Sequence, residues 1–348
     1  MLPNCLSWTL HVQSGFIAGV STRPQSRDAG LMRIRLYLVL AACAGVLASV
    51  PAIAQETLKV AVPQRGAWDT AVPELGQRGG NFKKHGLSLE ILYTQGGPES
   101  IQAVVSGSMD IGTGVGVSAA LGAFSKGAPI RLIGSEMIGS PDLYWYVRAD
   151  SPIRKIEDLA GKTIGYSQTG SSSNAALLEL LKQYKLDAKP VALGGMQATF
   201  TQTMTGQVDV GWAAAPFGLD ALEEGKIRIV ARGTDITALQ SRTVRVNLTS
   251  LAVLGQRRPV LGRFMAAYLE TVDWMYSDAA ALKYYAEYSG LPGNIVQRVR
   301  EFIPKASMAP QQIVGMDQIV ADALRTKFIA EPLTPAQIQE LVQIPSPQ

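Results

Sequence analysis

Two stretches of the chain repeat one another: VVSGSMDIG at residues 104–112 and TMTGQVDVG at residues 203–211. They align at an offset of 99 residues, and the same offset pairs Gly96 with Gly195 upstream. Each copy has the pattern of a helix that ends near a glycine, followed by a short strand with a glycine-rich far end. Because the carboxyl ends of parallel strands hold ligands in α/β folds, the repeat predicts two similar lobes that face one cleft. Chance recurrence of a common helix-to-strand turn is the alternative, and the match over about seventeen positions disfavours it.

The first 54 residues have the features of an export signal. The basic segment MRIR (32–35) precedes an apolar run, and VPAIA (50–54) ends in an A-x-A site. This order predicts a secretory signal peptide over residues 32–54, cleavage after Ala54 and a periplasmic mature protein.

The segment upstream of the signal and one cysteine inside it need separate interpretation. Residues 1–31 have no hydrophobic periodicity, and we interpret them as an extension from a start codon assigned too early. Cys43 ends the lipobox-like LAAC, which raises the alternative of a lipoprotein. The residues after Cys43 stay apolar as far as Ala54, whereas a lipidated cysteine is usually followed by a polar tether, so soluble export is favoured.

Removal of residues 1–54 changes the charge and the available chemistry. Four of the 32 basic and one of the 28 acidic residues precede residue 55, so the mature net charge is +1 instead of +4. No clustered basic face of the kind that binds nucleic acid is present. Both cysteines are removed and His85 is the only remaining histidine. A disulfide, a Cys-His pair and a multi-histidine metal site are therefore excluded, and we expect no cofactor and no metal.

Strand and helix patterns alternate through most of the mature chain, which predicts an α/β fold with parallel strands. The predicted strands are 58–62, 87–92, 110–113, 130–135, 143–147, 163–166 and 226–231, with a β-rich run over 244–254. The predicted helices are 118–126, 175–185, 258–289, 293–302 and 310–326.

A series of motifs gives the chain a family resemblance. After the strand LKVAV come FKKHGLSLEI (82–91), SGSMDIG (106–112), ADSPIRKIEDLAGKTIG (149–165) and GQVDVGW (206–212), in that order. The chain resembles the substrate-binding proteins of bacterial ABC importers of the nitrate/aliphatic sulfonate/taurine type, over roughly residues 57–290. The resemblance implies a type II periplasmic-binding-protein fold: two α/β lobes joined by two crossing strands, with a cleft between them.

The resemblance also implies domain limits and partners. Lobe 1 is expected to comprise residues 55–146 and 250–348, and lobe 2 residues 147–249. The crossings are expected near Tyr144–Val147 and Leu248–Val253. The partners are expected to be a small-molecule ligand and the membrane permease of an ABC importer with its ATPase, and the protein is expected to be a monomer that binds no nucleic acid.

The clearest candidate for a ligand contact is the loop Thr169–Asn174, with the sequence TGSSSN. A strand, a loop of glycine and hydroxyl residues, and a helix would present free amide groups and a positive helix end to an anion. The alternative is plain N-capping of the helix, for which Ser and Thr are favoured in any protein. Three successive serines exceed what a cap needs, so we assign ligand contact to Gly170, Ser171, Ser172, Ser173 and Asn174.

Other candidates follow predicted strands or lie beside a predicted crossing. Trp68 and Trp212 are predicted to form aromatic walls of the cleft, with packing in the lobe cores as the alternative. Arg65 is a candidate for contact with a carboxylate or sulfonate. The remaining predicted contacts are Gly97, Thr113, Gly114, Ser118, Tyr144 and Pro216.

These residues favour a solute-binding protein over an enzyme. Neither a G-x-S-x-G nor a Walker A motif occurs in the chain. The alternative is an enzyme like the pyrimidine-precursor synthase of thiamine metabolism, which shares the implied fold and uses a histidine. His85 lies in KKHG, a context typical of a helix end, and is interpreted as a cap. Small-residue loops with aromatic walls suit a compact organic anion, with sulfonates, taurine, carboxylates and pyrimidine precursors all left open.

Overall fold

The computed structural model describes residue 19, residues 55–308 and residues 311–346, so the predicted signal peptide, its cleavage site and Cys43 lie outside the described residues. The strands in this part of the chain are β1 (Glu56–Pro63), β2 (Leu87–Thr94), β3 (Ile111–Gly116), β4 (Ile130–Ile138), β5 (Leu143–Arg148), β6 (Thr163–Tyr166), β7 (Lys189–Ala192), β8 (Gly211–Ala214), β9 (Ile227–Arg232) and β10 (Thr243–Ser250). The α-helices are α1 (Val72–Arg78), α2 (Asn81–Lys84), α3 (Gly97–Val105), α4 (Val117–Ser125), α5 (Ser172–Gln183), α6 (Met196–Met204), α7 (Leu219–Glu223), α8 (Leu251–Ser277), α9 (Ala279–Ser289), α10 (Gly293–Phe302), α11 (Met316–Arg325) and α12 (Pro335–Leu341).

The first lobe is built on a five-stranded sheet in the order β2-β1-β3-β10-β4. β1 pairs in parallel with β2 and β3, whereas β10 runs antiparallel to β3 and β4. The carboxyl-terminal half of β1 is buried throughout, as its continuous apolar sequence predicts for a strand covered on both faces. The carboxyl ends of β1 and β3 therefore meet at one edge of this sheet.

The second lobe has the same strand arrangement. The pairs β8-β5-β9 and β6-β7 are joined through Val210, whose amide donates to the Thr163 carbonyl at 3.1 Å and whose carbonyl accepts from the Gly165 amide at 2.8 Å. The combined order is β7-β6-β8-β5-β9, in which β5 is antiparallel to both of its neighbours. Position by position, β6, β7, β8, β5 and β9 match β1, β2, β3, β10 and β4.

The two copies of the sequence repeat occupy equivalent places in the two lobes. Each helix, α3 or α6, is followed by a glycine in the left-handed region, Gly107 at φ 76° and Gly206 at φ 75°. The Asp110 carboxylate accepts from the Lys59 amide at 2.8 Å, and the Asp209 carboxylate accepts from the Thr163 amide at 2.8 Å. Each aspartate thus links the start of its own strand to the neighbouring strand through a hydrogen bond.

Strand pairing moves the expected lobe limits. β5 pairs only within the second sheet and β10 only within the first, so the chain changes sheets over residues 139–142 and 233–242. The expected limit at 146/147 falls inside β5, which pairs in the second sheet. The expected limit at 249/250 assigns almost all of β10 to the second lobe, although β10 pairs in the first sheet. The predicted β-rich run 244–254 is also too long: the Ser250 hydroxyl accepts from the Val253 amide at 3.2 Å and caps helix α8 there.

The carboxyl-terminal helices pack mainly on the first lobe. α8 begins before the predicted residue 258 and ends at Ser277, where Asp278 caps α9 by accepting from the Ala280 amide at 2.8 Å. α11 begins at Met316 instead of the predicted residue 310.

Within residues 55–308 and 311–346, no helix combines the length and the hydrophobicity needed to cross a membrane.

Candidate functional site

A cavity of about 40 Å³ and another of about 30 Å³ lie where the strand ends of the two lobes face each other. The smaller one, which we call the cleft cavity, is lined by both lobes. The first lobe contributes Pro63, Gln64, Ala67, Asp69, Thr70, Gly96, Gly97, Gly114, Gly116 and Arg245. The crossing segment and the second lobe contribute Asp142, Leu143, Ser167, Ser171, Ser172, Ser173, Trp212 and Ala214.

The serine loop serves as a cap and as a cleft wall. The Ser171 hydroxyl caps α5 by accepting from the Asn174 amide at 3.2 Å. The Ser173 hydroxyl accepts from the Ser167 amide at 3.0 Å, and the Asn174 side-chain oxygen accepts from the Gly170 amide at 3.0 Å. These side chains hold the loop in shape, which leaves Ser172, at the first turn of α5, as the hydroxyl directed across the cleft.

The partner of Ser172 across the cleft is Arg245, which sequence reasoning did not identify. Arg245 lies on β10, and its Nη1 donates to the Ser172 hydroxyl at 3.2 Å. β10 alternates apolar and polar residues as TVRVNLTS, a pattern typical of a strand with one solvated face, yet nearly every position is buried. Arg245, on the polar face of this strand, lines the cleft cavity, so the alternation was the only signal in the sequence.

Three buried carboxyl groups surround the Arg245 guanidinium. It lies 2.7 Å from Asp142 Oδ1, 3.0 Å from Glu136 Oε2 and 3.2 Å from Asp69 Oδ2. All four side chains are at least nine-tenths buried. They come from four separate stretches of sequence, so no local motif marks the cluster.

Burial and mutual repulsion shift the pKa values in this cluster. Burial, followed by the nearby Asp69 charge, raises the pKa of Glu136 well above its usual value. Burial also raises the pKa of Asp142, although Arg245 acts in the opposite direction. Burial lowers the pKa of Arg245, but the three carboxyl groups outweigh it and keep the guanidinium charged.

The two candidate tryptophans have different roles. Trp68 is fully buried in the first lobe, donates through Nε1 to Tyr276 Oη at 3.0 Å and meets the Tyr285 ring edge to face at 4.8 Å. The prediction that it forms a cleft wall is wrong, because the tyrosines of α8 and α9 provide a complete aromatic pocket for the indole. Trp212 does line the cleft cavity, and its buried indole N–H has no hydrogen-bond partner.

Thr113 and Tyr144 also face away from the cleft cavity, contrary to expectation. The Thr113 hydroxyl donates to the Ala61 carbonyl at 3.4 Å, within the first sheet. The Tyr144 hydroxyl donates to the Phe217 carbonyl, and its ring packs against Tyr146. Both side chains belong to hydrogen-bonded lobe interiors, because adjacent residues of a strand point to opposite faces.

Three further candidates lie around the cleft. Ser118 lines the 40 Å³ cavity behind the serine loop. Arg65 stacks over the rings of Tyr93 at 5.2 Å and Tyr288 at 5.7 Å, beside an outer groove of about 500 Å³. Pro216 lines none of these three spaces, and the preceding Ala215 carbonyl accepts from the Trp68 amide at 3.4 Å, across the lobes.

The two lobes approach each other closely at several glycines. A Cβ on Gly116 would lie 2.8 Å from the Ser172 amide nitrogen, and a Cβ on Gly96 would lie 2.7 Å from the Gln168 side-chain oxygen. On the second lobe, a Cβ on Gly195 would lie 2.7 Å from the Gln95 side-chain oxygen. The glycine at the end of β3 therefore permits backbone contact between the lobes, and the glycines before α3 and α6 each make room for a glutamine side chain of the other lobe.

His85 lies outside the cleft. It follows α2, and its Nε2 lies 3.0 Å from a Glu270 carboxylate oxygen on α8. In the described part of the chain, no three side chains of the metal-ligating types are placed to hold an ion together. The titratable residues that line the cleft cavity are Asp69, Asp142 and Arg245.

The family model described as NMT1/THI5 like matches residues 75–281. Over 233 residues the chain is 28% identical to an Escherichia coli (strain K12) protein whose name assigns it to aliphatic sulfonate binding, covering 65% of this chain and 70% of that protein. The alkanesulfonate-binding protein SsuA from Xanthomonas axonopodis pv. citri, solved with MOPS bound, is 23% identical and superposes with a TM-score of 0.67 over 83% of this chain and 98% of that one.

A desulfurization enzyme, DSZB, also shares the fold. It is 18% identical with a TM-score of 0.61, over 83% of this chain and 96% of the enzyme. The solved neighbours confirm the predicted periplasmic-binding-protein fold. The chain belongs to the NMT1/THI5-like family, and its sulfonate-binding relatives confirm the resemblance given by its motifs.

Proposed function

We propose that this NMT1/THI5-like chain is an extracytoplasmic solute-binding protein that captures a small organic anion by lobe closure and delivers it to an ABC importer. Sulfonate-, taurine- and carboxylate-like ligands fit this description. The protein is exported to the periplasm, cleaved after Ala54 and released as a soluble monomer. Its partners are the importer's membrane permease and ATPase.

The observation that carries this proposal is the pairing of the α5 N-terminus with Arg245 across the cleft. The first amides of α5 carry a partial positive charge, and Arg245 reaches the same place from the other lobe through Ser172. An anion placed between them would contact both lobes at once. Its binding energy would then favour the closed form, which is the requirement for ligand-driven closure.

The glycine contacts support the same mechanism. Gly116 lets the end of β3 meet the backbone at Ser172, and Gly96 makes room for the Gln168 side chain of the second lobe. These contacts lie beside the cleft cavity of about 30 Å³, and a ligand bound there would touch both lobes when they approach each other. This is hinge closure around a bound ligand.

Two measurements on the mature protein test the proposal. A thermal-shift screen should include alkanesulfonates, taurine, aromatic carboxylates and pyrimidine precursors. A ligand at about 100-fold over its Kd adds about 2.7 kcal/mol of stability. Solution scattering with a ligand that binds should show a smaller radius of gyration, and an unchanged curve at saturation would count against closure.

The site of cleavage has its own test. Mass spectrometry of the exported protein should give a mature chain that begins at Gln55. A lipid-modified Cys43 at the N-terminus would instead assign the protein to the membrane surface.

The second candidate function is an enzyme, either like the pyrimidine-precursor synthase or like the desulfurization enzyme that shares the fold. Against it, His85 is paired with Glu270 away from the cleft, and the sequence has no cysteine after Cys43. A reaction would have to use the carboxyl groups around Arg245. Release of product from a bound sulfinate, sulfonate or pyrimidine precursor, followed by NMR, would favour this alternative.

A further inference from the structure

Helix α11, near the carboxyl terminus, contacts both lobes. Its apolar residues Ile319, Val320 and Ala323 belong to the hydrophobic core of the first lobe, together with residues of α4 and β10. Its charged residues Asp322 and Arg325 lie instead against α5 of the second lobe. The helix is therefore packed into one lobe and paired by charge with the other.

The charges on α11 and α5 are complementary. Arg325 forms an ion pair with Glu179 of α5. Lys182, three residues further along α5, lies 3.8 Å from Glu179 Oε2 and 3.9 Å from Asp322 Oδ1. Arg325 Nη2 also lies 3.0 Å from Asp322 Oδ1. Carboxylates and cations thus alternate across the boundary between the lobes.

A further ion pair connects α11 to the segment that joins the lobes. Arg242, the last residue of the second crossing segment, pairs with Asp322. The Arg242 carbonyl accepts from the Gly139 amide of the other crossing segment at 2.9 Å. The next residue, Thr243, donates its amide to the Val314 carbonyl at 3.0 Å, just before α11. The start of α11 is therefore bonded to the place about which the lobes would turn.

The turn after α11 also contacts the second lobe. A Cβ on Gly170, in the serine loop, would lie 3.7 Å from Phe328 Cε1 and 3.6 Å from the Ala119 Cβ on α4. Apolar contact therefore continues the boundary that the ion pairs form along α11 and α5.

Burial distinguishes these ion pairs from ordinary surface pairs. The Glu179 side chain is 7% exposed and the Arg242 side chain 8%, whereas Arg325 and Lys182 are more exposed. Isolated exposed pairs contribute little to stability, but several charges in a network with buried members contribute more and are screened less by salt. Separation of the lobes would break the pairs between α11 and α5, whereas an ion pair inside one lobe would persist.

We propose that α11 is an interlobe latch: its ion pairs with α5 hold the lobes together before a ligand binds, and its pair with Arg242 fixes it at the crossing segment. Contacts made in only one of two forms shift the population toward that form. The latch therefore supplies part of the free energy of closure, and the ligand supplies the rest. This inference rests on the lobe movement of the proposed function and adds a contribution from the protein itself.

Solution scattering of the mature protein without ligand tests the latch. Salt weakens partly exposed ion pairs, because the Debye length falls from about 30 Å at about 0.01 M salt to about 3 Å at about 1 M. We expect the radius of gyration of the wild type to increase between these conditions. Glu179→Gln and Arg325→Gln should each show, at low salt, the larger radius that the wild type reaches at high salt. The double variant should show no further increase, since both single variants remove the same pair.

Glu340→Gln is the matched control, because Glu340 pairs with the buried Arg131 inside the first lobe. This variant should keep the wild-type radius and its dependence on salt. Circular dichroism melting of each variant verifies that it is folded. The salt series on the wild type tests the latch without any substitution.

Equal radii for the wild type and both latch variants at low salt would overturn the inference, as would a wild-type radius that does not change with salt. An equal increase in Glu340→Gln would also overturn it, because the effect would then follow from loss of any carboxylate. The proposed function would fail by a different result, the absence of any stabilising ligand in the wider screen.

Discussion

The loop after β1 and the loop after β6 hold equivalent positions in the two lobes, yet they contribute opposite chemistry. In the first lobe the loop carries Asp69, a buried carboxylate that contacts Arg245. In the second lobe the equivalent loop carries Ser171 and Ser172, neutral hydroxyls at a helix N-terminus. The two lobes share one strand arrangement but present different chemistry to each other. We call the cluster of Asp69, Glu136, Asp142 and Arg245 the charged wall, and the serine loop with the α5 N-terminus the dipolar wall. The symmetry of the fold does not extend to the ligand site.

This difference also explains which parts of the site the sequence could predict. The serine loop is local: strand, glycine, hydroxyls and helix follow one another within a dozen residues, so composition and order suffice. The charged wall combines Asp69, Glu136, Asp142 and Arg245, and only the pairing of β4 with β10 and the path of the crossing segment bring them together. Long-range pairing of this kind leaves no contiguous motif.

The fold itself was largely predictable because the repeat encodes the strand arrangement twice. The alternation of strands and helices follows from local patterns, and Asp110 and Asp209 make equivalent hydrogen bonds in the two copies of the repeat. The expected lobe limits fall within β5 and near the end of β10, because both strands are buried like any central strand. Which sheet each joins depends on its neighbours, not on its own residues.

The largest expected effect comes from removing the cation of the charged wall. Arg245→Leu would leave the carboxyl groups of Asp69, Glu136 and Asp142 buried without a counter-charge. We expect the free energy of unfolding to fall by about 3–5 kcal/mol, the usual cost of removing one partner from a buried ion pair. Urea unfolding followed by circular dichroism measures the change.

Two controls sharpen this prediction. Arg245→Lys keeps a positive charge and should lose less stability, although it cannot contact three carboxyl groups in the same geometry. Arg65→Ala removes an exposed guanidinium stacked on Tyr93 and should change stability by less than about 1 kcal/mol. Equal losses for Arg245→Leu and Arg65→Ala would show that the cluster does not stabilise the fold.

The next effect tests contact between the two walls. In Gly116→Ala the new methyl group would lie 2.8 Å from the Ser172 amide nitrogen, which strains the closed form only. We expect ligand affinity to fall by about 1–3 kcal/mol, the range for overpacking a tight contact, with little change in the unliganded protein if it is open. Calorimetric titration with a ligand from the screen measures this loss.

The matched control is Gly255→Ala on α8, where a new Cβ has nothing within 4 Å. It should leave affinity unchanged. If Gly116→Ala binds as tightly as the wild type, the lobes do not close to the contact seen here.

A smaller effect separates the two serines of the dipolar wall. Ser171→Ala removes the α5 cap and should lower stability by about 1 kcal/mol. Ser172→Ala removes the hydroxyl that accepts a hydrogen bond from Arg245 Nη1. This variant should weaken ligand binding by about 1–3 kcal/mol with little loss of stability. Thermal melting and titration on both variants give the comparison, and the reverse pattern would return Ser172 to a capping role.

The smallest expected effect concerns the two tryptophans, one from each lobe. Trp212→Phe removes an unpaired indole N–H at the cavity, so we expect an affinity loss of about 0.5–1.5 kcal/mol. The same variant should lose most of the ligand-induced change in tryptophan fluorescence. The Trp68→Phe variant should retain the ligand-induced change in fluorescence, because the Trp68 indole is hydrogen-bonded to Tyr276 inside the first lobe. A fluorescence change that disappears with Trp68 and survives in Trp212→Phe would place the ligand against the first lobe instead of between the two.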